Sequence, residues 1–266
     1  MQRTPPDRVA GCAPTTAQTR GHDVDALAAA IASGDSINGL GSHFMLDLGT
    51  YAHGATLGFE GIDFYVGGRC GVLGDVPGSV ATAAMVFLCP EMVSASWDRA
   101  GAVMPRRRAA EEFAAVAHRW AEEKLPDDLP ADRLAELAGR VGDAASVAAA
   151  PLFAGWRDLP EPAAPKALAI HRVNALRELR GAMHGAAVLT QGVHPHAAVA
   201  RRTPYMLEVF GWAPPHPDKD PVREPWAAAQ EATERALAPA YEALSEAERA
   251  ELVELVDAAQ AAATGS

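Results

Sequence analysis

The run from His171 to His184 constrains the fold of this chain more than any other stretch, because it sets two histidines and the arginines Arg177 and Arg180 into a helical pattern. At about 100° per residue, Arg177, Arg180, Gly181 and His184 share one arc. Leu168, Leu176, Leu179 and Met183 share the opposite one, and His171 and Glu178 flank the polar arc. Such a helix is expected to pack on its apolar side and line a pocket with the other. The pattern predicts where a ligand sits without naming a reaction.

The rest of the chain reads as further helices. Asp25 to Ser33 is an alanine-rich run that predicts a short helix, broken by the glycines between Gly34 and Gly41. From Ser42 to Gly74 the glycine density predicts short turns and close backbone contacts. The apolar run from Ser79 predicts a buried helix that Cys89-Pro90 kinks or restarts. Arg108 to Glu123 and Ala131 to Ala150 predict two bundle helices separated by Pro126 and Pro130. Arg106 to Arg108 read as a solvated turn. Five prolines exclude a regular element between Ala213 and Pro225. Ser245 and Glu248 form a capping-box pattern before a last helix that aligns Leu252, Leu255, Val256 and Ala259. No strand ladder emerges, so the expected fold is all-α. The expected organisation is a disordered leader over residues 1–23, a helical N-terminal region over 24–160 and a helical C-terminal region over 161–266. The proline-rich stretch from Leu159 to Pro165 is either a hinge or a tight connection between the two regions.

With 266 residues and 49% hydrophobic content, the chain can bury a substantial core. A net charge of −11 opposes nucleic acid and anionic membrane over most of the surface, leaving only a local basic patch for such partners. Cys12, Cys70 and Cys89 have no paired spacing, so a reducing cytoplasm fits best. No apolar run reaches membrane-spanning length.

The segments Gly67-Gly68-Arg69, Leu152-Phe153, Leu159-Pro160, the run from His171 to His184 and the tail through Leu237, Leu244 and Leu252 resemble the actinobacterial SalK-like helix-turn-helix family over roughly residues 40–260. That resemblance implies a two-part helical protein with a degenerate winged-helix region and a setting in specialised metabolism. The family motif Leu-Arg-Glu-His-Arg-Gly-Asp-x-His is matched by Leu176, Arg177, Glu178, Arg180, Gly181 and His184, with Leu179 and Ala182 in place of its His and Asp. A second motif, Asn-Phe-His-Pro, is represented by Phe87-Leu88-Cys89-Pro90 without its polar residues. The winged region is shortened, because Pro214 to Pro225 stand where a recognition helix and wing would lie.

Arg177 and Arg180 present guanidinium forks suited to planar anions, and the ordinary pKa of a histidine suits His184 to proton transfer near neutrality. The leading expectation is therefore an enzyme of specialised metabolism, acting on an anionic or carbonyl-bearing substrate through His184 with Arg180 and Arg177. His171, Glu178, Cys89, His43 and Tyr65 complete the expected binding set. In the opposing reading the arginines pair with acidic neighbours and His184 fills space. The pattern predicts no cofactor. His171 and His184 lie about 20 Å apart along one helix and cannot share a metal ion. His194, His196 and His216 lack an accompanying carboxylate cluster, and a Cys89 haem thiolate has less support still. Expected partners are a small organic ligand and a second copy of the chain, with nucleic acid disfavoured. The alternative functions are a ligand-responsive transcriptional regulator of winged-helix ancestry and a non-catalytic ligand carrier.

Overall fold

Helix starts in this chain are written largely in proline, which lacks only an N–H that the first turn would leave unbonded. A computed structural model describes residues 24–265, and in it prolines open four helices: α5 (Pro90–Val103), α8 (Pro151–Arg157), α9 (Pro165–Thr190) and α10 (Pro195–Arg202). Side chains cap others. Asp25 accepts from the Ala28 N–H at 2.7 Å to start α1 (Ala26–Leu46), and both halves of the Ser245–Glu248 capping box form at α12 (Glu246–Thr264). Between these lie α2 (Leu48–Thr56), α3 (Asp63–Cys70), α4 (Gly78–Ala84), α6 (Arg106–Lys124), α7 (Ala131–Ala144) and α11 (Arg223–Tyr241). The described residues contain no strand, so the fold is all-α.

The glycines from 34 to 41 do not break α1, which runs straight through them. They act instead on packing. A methyl group at Gly41 would stand 2.8 Å from the Arg177 side chain, and one at Gly34 would stand 3.0 Å from the Arg180 guanidinium. Gly34 and Gly41 each weaken the helix by about 1 kcal/mol relative to alanine, but let α1 lie close against the arginines of α9. Other expected boundaries shift as well. The helix expected from Ser79 stops at Ala84, and residues 85–89 are irregular before Pro90 starts α5. Helix α7 ends at Ala144 instead of Ala150, and α11 already begins at Arg223. The Arg106–Arg108 run is no turn, because it forms the first turn of α6. There Arg107 and Arg108 pair with Glu111 and Glu112, while Arg106 lies 3.8 Å over the Trp97 ring. The expected leader, together with Cys12, lies outside the described residues.

At the centre of the core, the Phe113 ring meets Phe44, Phe64, Tyr65 and Trp156 edge-on, at centroid distances of 5.2 to 6.4 Å. Alongside it runs α9, packed against α1, α6, α7, α8 and α11. The expectation that α9 packs on one side only is therefore corrected. A helix surrounded by five neighbours buries its charged arc too, and every charge on that arc then needs a partner. No described helix is long and apolar enough to cross a membrane.

Candidate functional site

Glu178 is 1% exposed, and its two carboxylate oxygens accept from Arg69 Nε and Nη2, each at 2.8 Å. Arg177 Nη1 donates to the same carboxylate at 2.9 Å, and its Nε donates to Ser42 Oγ at 2.9 Å. Arg69 Nη1 donates to the Tyr65 hydroxyl at 2.7 Å. Burial alone would raise the Glu178 pKa, but Arg69 and then Arg177 hold it below the usual carboxylate range. Burial and the Arg69 charge together lower the Arg177 pKa. Arg69 reaches this cluster because Gly67 and Gly68 seat α3 against α5 and α6, where added methyls would stand 2.6 Å from Ala100 and 2.5 Å from Phe113.

A second cluster follows within one turn. Arg180 donates to both oxygens of Glu234 on α11, at 2.9 and 2.6 Å, in a matched fork. His184 packs between Phe87 and Trp226, at centroid distances of 5.5 and 4.9 Å. Thr233 donates its one hydroxyl proton to the Ala229 carbonyl at 2.7 Å, so it is the His184 Nδ1 that donates to the Thr233 oxygen at 3.0 Å. Burial, followed by the charges of Arg180 and Arg202, pushes the His184 pKa down to about 4, so the ring is neutral at pH 7.

The remaining expected binding residues do not converge on one place. His43 stacks on Trp120 and bonds Gln260 at 3.1 Å. Cys89 donates its thiol to Glu91 at 3.0 Å, and burial raises its pKa. His171 Nδ1 faces His118 Nε2 at 3.2 Å, and both rings have pKa values lowered by burial. His171 also lines a polar cavity of about 130 Å³ with Asp143, Arg157, Glu161 and Arg172. Tyr65 and Glu178 do meet, through Arg69. In the sequence Arg69 stands out only within a segment that carries the family resemblance, and Glu234 and Thr233 carry no local signal.

Arg69 and Glu178 also form the polar floor of a larger cleft, of about 220 Å³, between α9 and the segments 83–88 and 149–152. Gly181, Ala182 and Ala186 line it from α9, opposite Met85, Phe87, Leu88 and Leu152. The irregular segment forming that wall is tied to the chain after α10. Cys89 donates its backbone N–H to the Phe210 carbonyl at 2.8 Å, and Trp212 Nε1 donates to the Phe87 carbonyl at 2.9 Å. Trp212 in turn stacks on His196 of α10, at 4.7 Å and 10° between planes. His196 Nε2 lies 3.0 Å from His216 Nδ1, and among the described residues no three His, Cys, Asp or Glu side chains are grouped to hold a metal ion.

A family model described as a helix-turn-helix family matches residues 30–219. No curated protein and no solved structure matches the chain. The family match overturns the expectation of an enzyme acting by acid–base or electrostatic catalysis, and favours the regulator that stood as its alternative.

Proposed function

The chain belongs to the helix-turn-helix family, and from that premise we propose that it is a ligand-responsive regulator that engages duplex DNA through the C-terminal edge of α10, which α9 supports. We assign it to the SalK-like group on Leu176, Arg177, Glu178, Arg180, Gly181 and His184, and we infer that it controls a function of specialised metabolism. The observation that carries the DNA reading is the joint between α9 and α10. Four residues, 191–194, connect them, with Gly192 at φ +71° in the left-handed conformation that a tight turn requires. Val193 is buried and caps α9 through its N–H to the Val188 carbonyl at 3.1 Å. With Ala198 and Ala229 it forms a small core that fixes α10 beside α11.

Helix α10 is short, and its Ala197–Ala200 stretch is buried. What it offers a partner is its C-terminal edge. There the exposed Arg202, among the described residues, pairs with Asp35 alone, at 3.8 Å. Tyr205, 77% exposed, follows directly. Arginine and tyrosine side chains suit phosphate oxygens, and the whole chain's net charge of −11 disfavours DNA over most of the remaining surface. The segment 210–216, packed on α10 and bonded to the cleft wall, gives a bound ligand a route to the DNA-facing edge.

Titrating a fluorescent duplex with the protein at low salt tests this reading. Binding should weaken steeply as salt rises, and Arg202→Ala should lower the slope of log affinity against log salt by about 1. A flat titration at low salt excludes the function.

A further inference from the structure

The buried cluster at Glu178 does not balance. Two guanidinium groups, Arg69 at 11% and Arg177 at 13% side-chain exposure, share one carboxylate, and among the described residues neither makes an ion pair with a second acid. A net positive charge therefore lies next to the cleft. Arginine carries five N–H donors. Glu178 takes two of those on Arg69 and Tyr65 takes one, which leaves one N–H on each of Nη1 and Nη2. Two remaining guanidinium donors are enough to hold a carboxylate. Gly181 keeps the approach open, because the nearest atom to a methyl placed there would be Arg69 Nη2, at 4.0 Å. The opposite wall, Met85, Phe87, Leu88 and Leu152, offers only hydrocarbon and aromatic surface. At about 220 Å³ the cleft exceeds the roughly 150 Å³ that suffices to hold a benzene ring in an apolar cavity.

We propose that this cleft binds an apolar monocarboxylic acid, with its carboxylate on the free edge of Arg69 and its aryl or alkyl body against Met85, Phe87, Leu88 and Leu152. Its role as the effector rests on the regulator reading above; its binding does not. The charge comes from the Arg69–Arg177–Glu178 cluster and the shape from Gly181 and the wall, so the two can be removed separately. Arg177→Met leaves a matched Arg69–Glu178 pair and an unchanged cleft lining. Gly181→Leu places a side chain over Arg69 Nη2, and Ala186→Trp, at an exposed position, blocks the cleft where the core is not disturbed.

Thermal shift and calorimetry with benzoate, phenylacetate and hexanoate, each beside its neutral amide, form the test, with chloride as the inorganic control. The acids should raise the melting temperature of the wild type while the amides and chloride leave it unchanged. Arg177→Met should weaken acid binding at least tenfold, and either cleft-filling variant should abolish it. The proposal is overturned if no acid binds at millimolar concentration, if the amides bind equally well, if chloride alone reproduces the effect, or if both blocked variants still bind. The duplex titration, run on the same protein, is read separately. Acid binding without DNA binding would sink the regulator and leave the acid site standing, whereas DNA binding without acid binding would do the reverse.

Discussion

Two buried ion clusters lie within one turn of each other on α9, and they differ in how their charges are counted. Arg180 meets Glu234 one to one, in a fork that leaves no charge over. Glu178 faces two arginines and leaves one positive charge uncompensated beside a cleft. The same residue types on the same helix thus produce a closed structural pair in one place and an open, chargeable site in the other. Pairing alone does not mark a residue as structural; the balance of the whole cluster does.

Removing each carboxylate tests that contrast. Glu178→Gln strands two buried guanidinium groups and should produce the largest loss, about 3–5 kcal/mol, measured by urea unfolding. Glu234→Gln strands one, at the lower end of that range, about 3 kcal/mol, and equal losses from the two variants would show that the clusters are equivalent. A smaller effect should follow acidification. The pKa values of His184 and His118 are depressed from 6.5 to about 4, so the unfolded chain binds their protons first. Stability is then complete above about pH 6.5 and falls as pH drops through about 4, because burial favours the neutral rings. Arg180→Met should raise the His184 pKa in an NMR titration while Arg177→Met leaves it in place, which would assign that field to the closed pair. The smallest change is expected at Gly181, where a methyl group meets nothing closer than 4.0 Å. Gly181→Ala should stabilise the protein by about 0.5–1 kcal/mol through helix propensity, and a loss would mean that the space over Arg69 is already filled.

Much of this architecture was legible in the sequence because its signals are local. Pro90 restarts a helix, Ser245 and Glu248 cap one, and the prolines from 214 to 221 keep their segment irregular. The glycines of α1 misled for the same reason. Their local cost was visible, whereas the close approach to Arg177 and Arg180 that explains them belongs to another helix. At the candidate site, Arg177, Glu178, Arg180 and His184 stood out by spacing on α9. Their partners Arg69, Tyr65, Glu234 and Thr233 come from α3 and α11, and no spacing along one helix relates them.

An all-α chain, most of its helix starts and the charged arc on α9 follow from residues a few positions apart and can be read along the chain. What that arc does depends on packing between distant segments. Five neighbouring helices enclose it, and the Coulomb energy of a buried charge depends on which opposite charge the fold brings within a few ångströms, and on how many. That geometry closes Arg180, neutralises His184 and leaves the free edge of Arg69 open to the cleft.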